Sequence, residues 1–435
     1  MTTSDAGQSA EAELSHGQRI RAIIAGSAGN LIEWYDFYIY AFTALYFSSA
    51  FFPQSDRLVQ IMATSAIFAV GFLIRPLGGW YFGRLADRRG RQHAIVVSIL
   101  MMGVGSLLIA ILPTYGQIGM LAPALLLIGR IIQGFSTGGQ YGTVATYLSE
   151  IAGKKRRGFY ASFQYVTLVG GQLAAAAMVL LLQLTLTETQ MQAFGWRIGF
   201  LVGAAGAMLI LLFRHQMHET VSHTAPDDRT GSIWELRRHM PALLCVLGLT
   251  AGGSLTFYTF TTYMHKYLVL TAGMDKAVAT SVISAALIPF MLVQPVFGAL
   301  ADKIGRRNNL ILFGLLATVF TLPLMSALAQ VESAYQAFAL ILAGLLISAF
   351  YTSISGLFKA ELFPVHIRAL AVGLSYGVGN ALFGGTAESV ALAFKRIGHE
   401  SAFYWYITAI CGVSLITALL MQDTRKYNPL NDVKV

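Results

Sequence analysis

Gly83–Arg91 reads GRLADRRGR, and Gly298–Arg306 reads GALADKIGR. Both are forms of G-x-L-A-D-x-x-G-R, displaced by 215 positions. A second pair follows almost the same displacement. Glu150 is followed seven residues later by Arg157-Gly158, and Glu361, 211 positions further on, by Arg368-Ala369. Two independent motifs that recur at nearly one offset indicate a duplicated unit. Each G-x-L-A-D loop also follows a long apolar run, so the duplicated unit is built from such runs.

The composition says what these runs are. Of 435 residues, 55% are hydrophobic and only 12% charged, with mean hydropathy +0.61. Soluble domains carry about twice that share of charge, so this chain has too little to cover a soluble surface. A cytosolic enzyme and a disordered chain are both excluded. Runs of 18 or more apolar residues read as membrane-crossing helices. Twelve are predicted, at about 20–48, 59–86, 93–113, 118–149, 159–185, 195–213, 240–268, 275–301, 309–330, 334–360, 368–394 and 401–421. The expected fold is an all-α membrane protein: twelve helices in two pseudo-symmetric six-helix bundles, residues 19–213 and 240–422. A polar stretch, 214–239, links them. Residues 1–18 read as a disordered tail, with no basic-then-apolar signal peptide, and 423–435 as a second tail.

The net charge of +9 could suggest nucleic acid, but its placement argues otherwise. Twenty-one of the 30 Lys and Arg fall in loops on the side of the termini. Five (Arg57, Lys266, Lys276, Lys395, Arg396) lie on the opposite side, and four (Arg75, Arg130, Arg197, Lys359) fall within spans. Basic loops mark the cytoplasmic side. Both termini are therefore expected in the cytoplasm of a multi-pass protein of a bacterial inner membrane, with the lipid bilayer as surroundings and no nucleic-acid partner. The two cysteines, Cys245 and Cys411, lie inside apolar runs, so neither a disulfide framework nor a metal site is expected. No nucleophile–base constellation and no phosphate loop occurs. An enzyme, an ATP-driven pump and a bound cofactor are not expected.

Ionisable side chains inside spans are costly and default to function. The first half holds Glu33 and Asp36 on its first span, Arg75 on its second and Arg130 on its fourth. Asn30, Glu33, Asp36 and Tyr40 are spaced by three and four and share one helix face. The cluster reads either as a proton and anion site or as a static ion-pair set that fixes packing. Arg197 and Lys359 lie nearer span ends. Polar partners are sought in Gln133, Tyr141, Gln164, Tyr165 and Gln172, and in Tyr258, Tyr263, Tyr351, Tyr376 and Asn380. Glu388 reads as a deep acid without a nearby partner, and His265 as structural. The repeated loops read as mechanical latches, with Arg91 and Arg157 as partners for Asp87 and Glu150, and Asp302, Arg306, Glu361 and Arg368 as equivalents. The alternative is surface charge that only obeys topology.

The G-x-L-A-D-x-x-G-R loops resemble the signature loop of the major facilitator superfamily. Within it, GNLIEWYDFY (29–38), GFLIRPLGGW (71–80) and RRGFYASFQYVTLVGGQ (156–172) resemble the metabolite:proton symporter family. FYTFTTYMHKYLV (257–269), TAGM (271–274), FYTSISGLFKAELFP (350–364) and GLSYGVGNALFGGTAE (373–388) continue it through the second half. The resemblance implies a monomeric secondary transporter with alternating access. It would import a small dicarboxylate, 2-oxoglutarate first, with protons. Citrate, shikimate or betaine and proline are alternative substrates, and proton-driven antiport is an alternative mechanism. Arginine forks suit carboxylates, so Arg75, Arg130, Gln133, Gln164, Tyr40, Tyr258, Tyr376 and Asn380 are the candidate substrate ligands. Asp36, Glu33, Arg130, Gln140 and Glu388 are the candidates for proton coupling. The resemblance further implies an acid after the paired glycines of GRIIQGFSTGGQYGT (129–143), where this chain has Gln140. Coupling would then run through Asp36 or Glu33, or else the glutamine was introduced to fix one protonation state.

Overall fold

The computed structural model describes residues 16–53, 57–152, 156–212, 230–424 and 429–432. Most of the stretch read as an N-terminal tail, 214–229 of the linker and parts of the C-terminal tail lie outside the described residues, with the loop cations Lys154, Lys155, Arg214, Arg229, Arg425, Lys426 and Lys434. All regular structure among the described residues is helical.

Twelve helical segments correspond to the predicted runs. In the first half they are α1 (His16–Phe51), α2 (Arg57–Arg89), α3 (Arg91–Ile111), α4 (Leu121–Ile151), α5 (Phe163–Thr185) and α6 (Trp196–Leu212). The turn Arg157–Ala161 leads into α5. In the second half they are α7 (Met240–Tyr258), α8 (Lys276–Ile304), α9 (Arg306–Ala329), α10 (Ala334–Thr352), α11 (Arg368–Gly379) and α12 (Glu400–Leu420). Three of these six continue past an irregularity. A π turn at Thr259–Tyr263 carries α7 on into Met264–Leu270. Ser355–Glu361 extends α10, and a π turn at Asn380–Gly384 joins α11 to Ala387–Arg396. Single π turns inside helices concentrate at functional positions. Ten helices among the described residues are long and apolar enough to cross a membrane by length and composition. The stretches of α1 and α11 are not among them: α1 carries Glu33 and Asp36 in mid-helix, and the α11 unit is interrupted at Asn380 and ends in Lys395 and Arg396.

The repeated loop has a simple backbone cause. Gly90 separates α2 from α3 at φ 100°, and Gly305 separates α8 from α9 at φ 94°. Each is a single-residue break in the left-handed region, where a side chain is strained and glycine is not. The motif glycine thus ends one helix and starts the next within one residue.

Two bundles follow, α1–α6 and α7–α12. The first is knit by α2 against α4, α1 against α5 and α3 against α4 and α6. The second is knit by α9 against α12, α8 against α10 and α7 against α12. The bundles meet pseudo-symmetrically, α2 against α11 and α5, with the turn before it, against α8. At the end that carries the repeated loops the backbones touch. A Cβ on Gly83 would lie 2.5 Å from Leu370 Cα, and one on Gly158 would lie 2.3 Å from the Gly298 carbonyl oxygen. The basic face of the molecule is therefore closed.

The polar linker and tail are partly structured. Ile233–Leu236 is helical, the Gly231 N–H donates to the His366 carbonyl, and Arg88 Nε donates to the Thr230 carbonyl at 2.9 Å. Near the C-terminus, Pro429–Asp432 forms a 3-10 turn in which Leu430 is buried. The helix α1 begins at His16, inside the stretch read as tail.

Candidate functional site

Four charged side chains meet in the first bundle, and all are buried: Glu33 and Asp36 from α1, Arg75 from α2 and Arg130 from α4. Glu33 faces Arg75 and Thr137, and Asp36 faces Arg130 and Ser106. Neither acid forms an ion pair within 4 Å, and none of their four carboxylate oxygens has a hydrogen-bond partner. On the arginines, Nε and Nη2 of both are likewise without partners. Only Nη1 is engaged: that of Arg130 donates to Gln133 Oε1 at 2.7 Å, and that of Arg75 to Tyr258 Oη at 3.4 Å. Gln133 in turn donates to Ser106 Oγ at 2.8 Å, which fixes the amide. Buried polar groups are nearly always satisfied, and exceptions concentrate where a ligand is handled.

The arginines rest on aromatic faces. The Arg75 guanidinium lies 4.0 Å from the Phe72 ring centroid and 4.5 Å from that of Phe37. The Arg130 guanidinium lies 4.3 Å from Tyr40 and 5.0 Å from Phe68. Ring faces offset part of the cost of burying a cation while leaving the planar fork edge free for a carboxylate. Tyr40 therefore belongs to the site through its ring, since its hydroxyl is spent on the Thr64 carbonyl.

The second bundle contributes Tyr258 from α7, Tyr376 from α11 and Asn380 from the π turn that follows. Neither amide atom of Asn380 has a partner, although the residue is fully buried. Tyr376 stacks on Tyr141 of α4 with ring centroids 3.3 Å apart. Gln164 Nε2 donates to the Tyr141 carbonyl at 3.3 Å, and its Oε1 lies against Gly356.

The repeated loops build a second, wholly buried cluster. Arg91 Nη1 binds Asp87 at 2.5 Å, and Nη2 binds Glu150 at 3.1 Å. Arg368 of the other bundle reaches the same Glu150 oxygen at 2.7 Å. Asp87 accepts the N–H groups of Ala369 and Leu370 at 3.0 and 2.9 Å, so it caps α11 across the divide. The repeat reproduces this in the other direction. Arg306 binds Asp302 and Glu361, each at 3.1 Å, and Asp302 accepts the N–H groups of Gly158 and Phe159 at 2.8 and 3.1 Å. An acid on a helix's first free N–H groups is favourable on charge and hydrogen-bonding grounds. Arg157 Nη2 donates to the Leu430 carbonyl at 2.8 Å, and Thr424 donates to Glu361 at 2.8 Å. Asp87 and Asp302 meet Arg91 and Arg306 as the sequence spacing expects, but Glu150, expected with Arg157, is held by Arg91 and Arg368, and Glu361, expected with Arg368, is held by Arg306. The arginine that joins Glu150 from outside its own loop is Arg368, which sequence could not reveal because the contact crosses bundles.

The model of the Major Facilitator Superfamily matches residues 28–387. The chain belongs to the major facilitator superfamily. The alpha-ketoglutarate permease of Escherichia coli (strain K12) is 54% identical over 94% of this chain and 95% of its own length. A citrate-proton symporter of Salmonella typhi is 33% identical over 93% and 95%, and a proline/betaine transporter of Salmonella typhimurium is 32% identical over 94% and 85%. Among solved structures, the proton:xylose symporter XylE bound to 6-bromo-6-deoxy-D-glucose superposes with a TM-score of 0.75 at 17% identity, covering 95% of this chain and 96% of that one. At that identity the likeness concerns the fold. A multi-pass membrane transporter, and no enzyme, is what the family and these relatives define.

In this major facilitator protein two candidates stand apart from the central cluster. Glu388 is neither deep nor alone: it is partly exposed and ion-paired with Lys266 of the α7 unit. It lies on the helix Ala387–Arg396 that follows the π turn at Asn380–Gly384. Gln140 lies among α1 and α3, where its Oε1 accepts from Ser98 at 3.4 Å, and a Cβ on Gly29 would meet its Nε2 at 3.6 Å. It does not touch the arginines. No group of three or more His, Cys, Asp or Glu able to hold a metal occurs among the described residues.

Sequence reasoning missed three contributors. Phe37, Phe68 and Phe72 look like lipid-facing bulk until they are seen beneath guanidinium groups. Gly203 looks like any glycine of an apolar helix, yet a Cβ there would lie 1.6 Å from Asp36 Oδ1. Gly203→Ala should therefore displace the Asp36 carboxylate and cut initial uptake rates at least tenfold, with protein still inserted. Wild-type uptake by this variant would remove Asp36 from the site. The third is Lys359, read from the sequence only as a cation near a span end and here buried on the Ser355–Glu361 helix.

Proposed function

We propose that this chain imports 2-oxoglutarate with protons across the bacterial inner membrane. It works as a monomer, both termini are cytoplasmic, and access alternates about the central cluster. The observation that carries the reading is the pair of buried guanidinium groups whose Nε and Nη2 have no protein partner. Two such forks, seated on rings within a closed core, have the chemistry of a carboxylate receptor. The 54% identity to a permease named for alpha-ketoglutarate supports the choice of substrate. Arg75, Arg130, Tyr258, Tyr376 and Asn380 are the proposed ligands, with Gln133 orienting Arg130. Asp36 and Glu33 are the proposed proton carriers, because they are the buried carboxylates that face the arginines. Asp87, Arg91, Glu150 and Arg368, with Asp302, Arg306, Glu361 and Arg157, are the proposed cytoplasmic latch, closed here and released when the site faces inward.

The test is uptake by proteoliposomes of labelled mono-, di- and tricarboxylates, with and without an inward proton gradient. Gradient-driven accumulation of 2-oxoglutarate ahead of citrate, shikimate and betaine is expected. Equal uptake without a gradient would overturn the proton coupling, and preference for citrate or betaine would overturn the substrate. Gln140→Glu adds a titratable group behind α1 without touching the arginines. It is expected to alter the pH profile of uptake while the substrate order stays the same. An unchanged profile would exclude position 140 from coupling.

A further inference from the structure

Lys359 is the one buried lysine among the described residues, and neither motif accounts for it. It is 0% exposed. Its ammonium donates to Ser355 Oγ at 2.7 Å and to the hydroxyls of Tyr141 and Tyr351, each at 3.1 Å. An ammonium has three protons, so its hydrogen bonds are complete. Its charge is not matched, because all three acceptors are neutral. No carboxylate forms an ion pair with it among the described residues. Rings surround it instead, with Tyr376 at 4.7 Å and Tyr141 at 5.1 Å.

A buried ammonium is expensive unless something negative compensates it. Counting charge through the core identifies the surplus. Glu33 and Asp36 offset Arg75 and Arg130, so the first bundle's cluster sums to zero. Lys359, from the second bundle, is the remainder. Its position matches that surplus. Tyr376, on which it sits, feels Tyr258 and Arg75, and Tyr258 is the residue that accepts from Arg75. Asn380, with both amide atoms free, lies beside the Tyr258 ring, since a Cβ on Gly384 would touch both residues within 2.7 Å. The two cations therefore flank one pair of tyrosines, one on each bundle.

We propose that Lys359 and Arg75 are the two anchors of the substrate. Lys359 takes the distal carboxylate of a short dicarboxylate that lies across Tyr258 and Tyr376, and Arg75 takes the proximal end together with the Arg130 fork. The ligand then ties the two bundles together through its own length, and a monocarboxylate reaches only one of them. The surplus positive charge meets the dianion, and the single negative charge left over is what a proton on Glu33 or Asp36 neutralises. This rests on the dicarboxylate reading and assigns the second half of that site.

The experiment compares two ligands on the purified full-length protein by calorimetry. One is 2-oxoglutarate, and the other is 2-oxopentanoate, which lacks the distal carboxylate. The wild type is expected to favour 2-oxoglutarate by roughly 30-fold or more, the scale of one buried charge contact. In K359M and K359Q that ratio should fall to about one, and in K359R it should be restored in part. A lysine that only holds structure would weaken both ligands and leave their ratio intact. That result, or a wild-type ratio in either neutral variant, overturns the proposal. Using two neutral variants guards against one of them failing to fold. If the wild type shows no preference, the dicarboxylate reading itself falls. If it does and the variants keep it, only the role of Lys359 falls.

Discussion

Arg130→Ala is expected to abolish uptake of labelled 2-oxoglutarate in proteoliposomes while the protein still inserts and purifies as the wild type does. Two costs combine. The substrate loses a fork whose Nε and Nη2 have no other partner. Asp36 loses the cation that it faces. Removing one partner of a buried charge pair costs about 3–5 kcal/mol, or roughly two to three orders of magnitude in affinity. Arg130→Lys should recover only part of this. An ammonium restores the charge but cannot lie flat on Tyr40 and Phe68 or present two parallel N–H groups. Uptake within a few-fold of wild type in Arg130→Ala would exclude Arg130 from the site.

Glu150→Gln opens the cytoplasmic face. Its carboxylate is shared by Arg91 at 3.1 Å and Arg368 at 2.7 Å, and every side chain involved is fully buried. Without that charge, two guanidinium groups on opposite bundles repel inside a dry contact. Separation of the bundles hydrates both. The closed state should lose on the order of 3–5 kcal/mol relative to the open one, which brings a population ratio of about a hundred to one at least to even. A cysteine placed in the inner cavity wall should then label faster, and one in the outer vestibule more slowly. The same rates in variant and wild type would mean that the cluster only packs the helices. A drop in melting temperature without any change in labelling would say the same.

Much of the architecture could be read directly. A duplicated loop, twelve apolar runs and an uneven distribution of lysine and arginine gave the repeat, the helices and the basic face. The loop glycine left one detail open, that a single residue at positive φ separates consecutive helices, and Gly90 and Gly305 supply it. The central acids and arginines were legible because ionisable groups stand out in apolar sequence. Their surroundings were not, because aromatic residues are ordinary in such helices and nothing in the order of residues says which ring lies under which cation. Lys359 was hidden for a related reason. It falls near the end of a run, where lysines commonly reach water, and its acceptor Tyr141 is 218 positions away. Glu388 shows the opposite case: it reads as deep in the sequence, yet it is partly exposed and paired with Lys266, 122 positions away, a partner that no local spacing announces. Contacts between bundles escape a reading by repeats because each copy predicts only itself.

The 3-10 turn Pro429–Asp432 lends itself to observation. Leu430 is wholly buried and accepts a hydrogen bond from Arg157, while Thr424 holds Glu361. Arg157 and Glu361 both belong to the charged cluster between the two bundles, so this turn should move with the proposed cytoplasmic latch. An environment-sensitive dye beside Leu430 would brighten or dim with each turnover, and the transporter would report its own cycle without a labelled substrate.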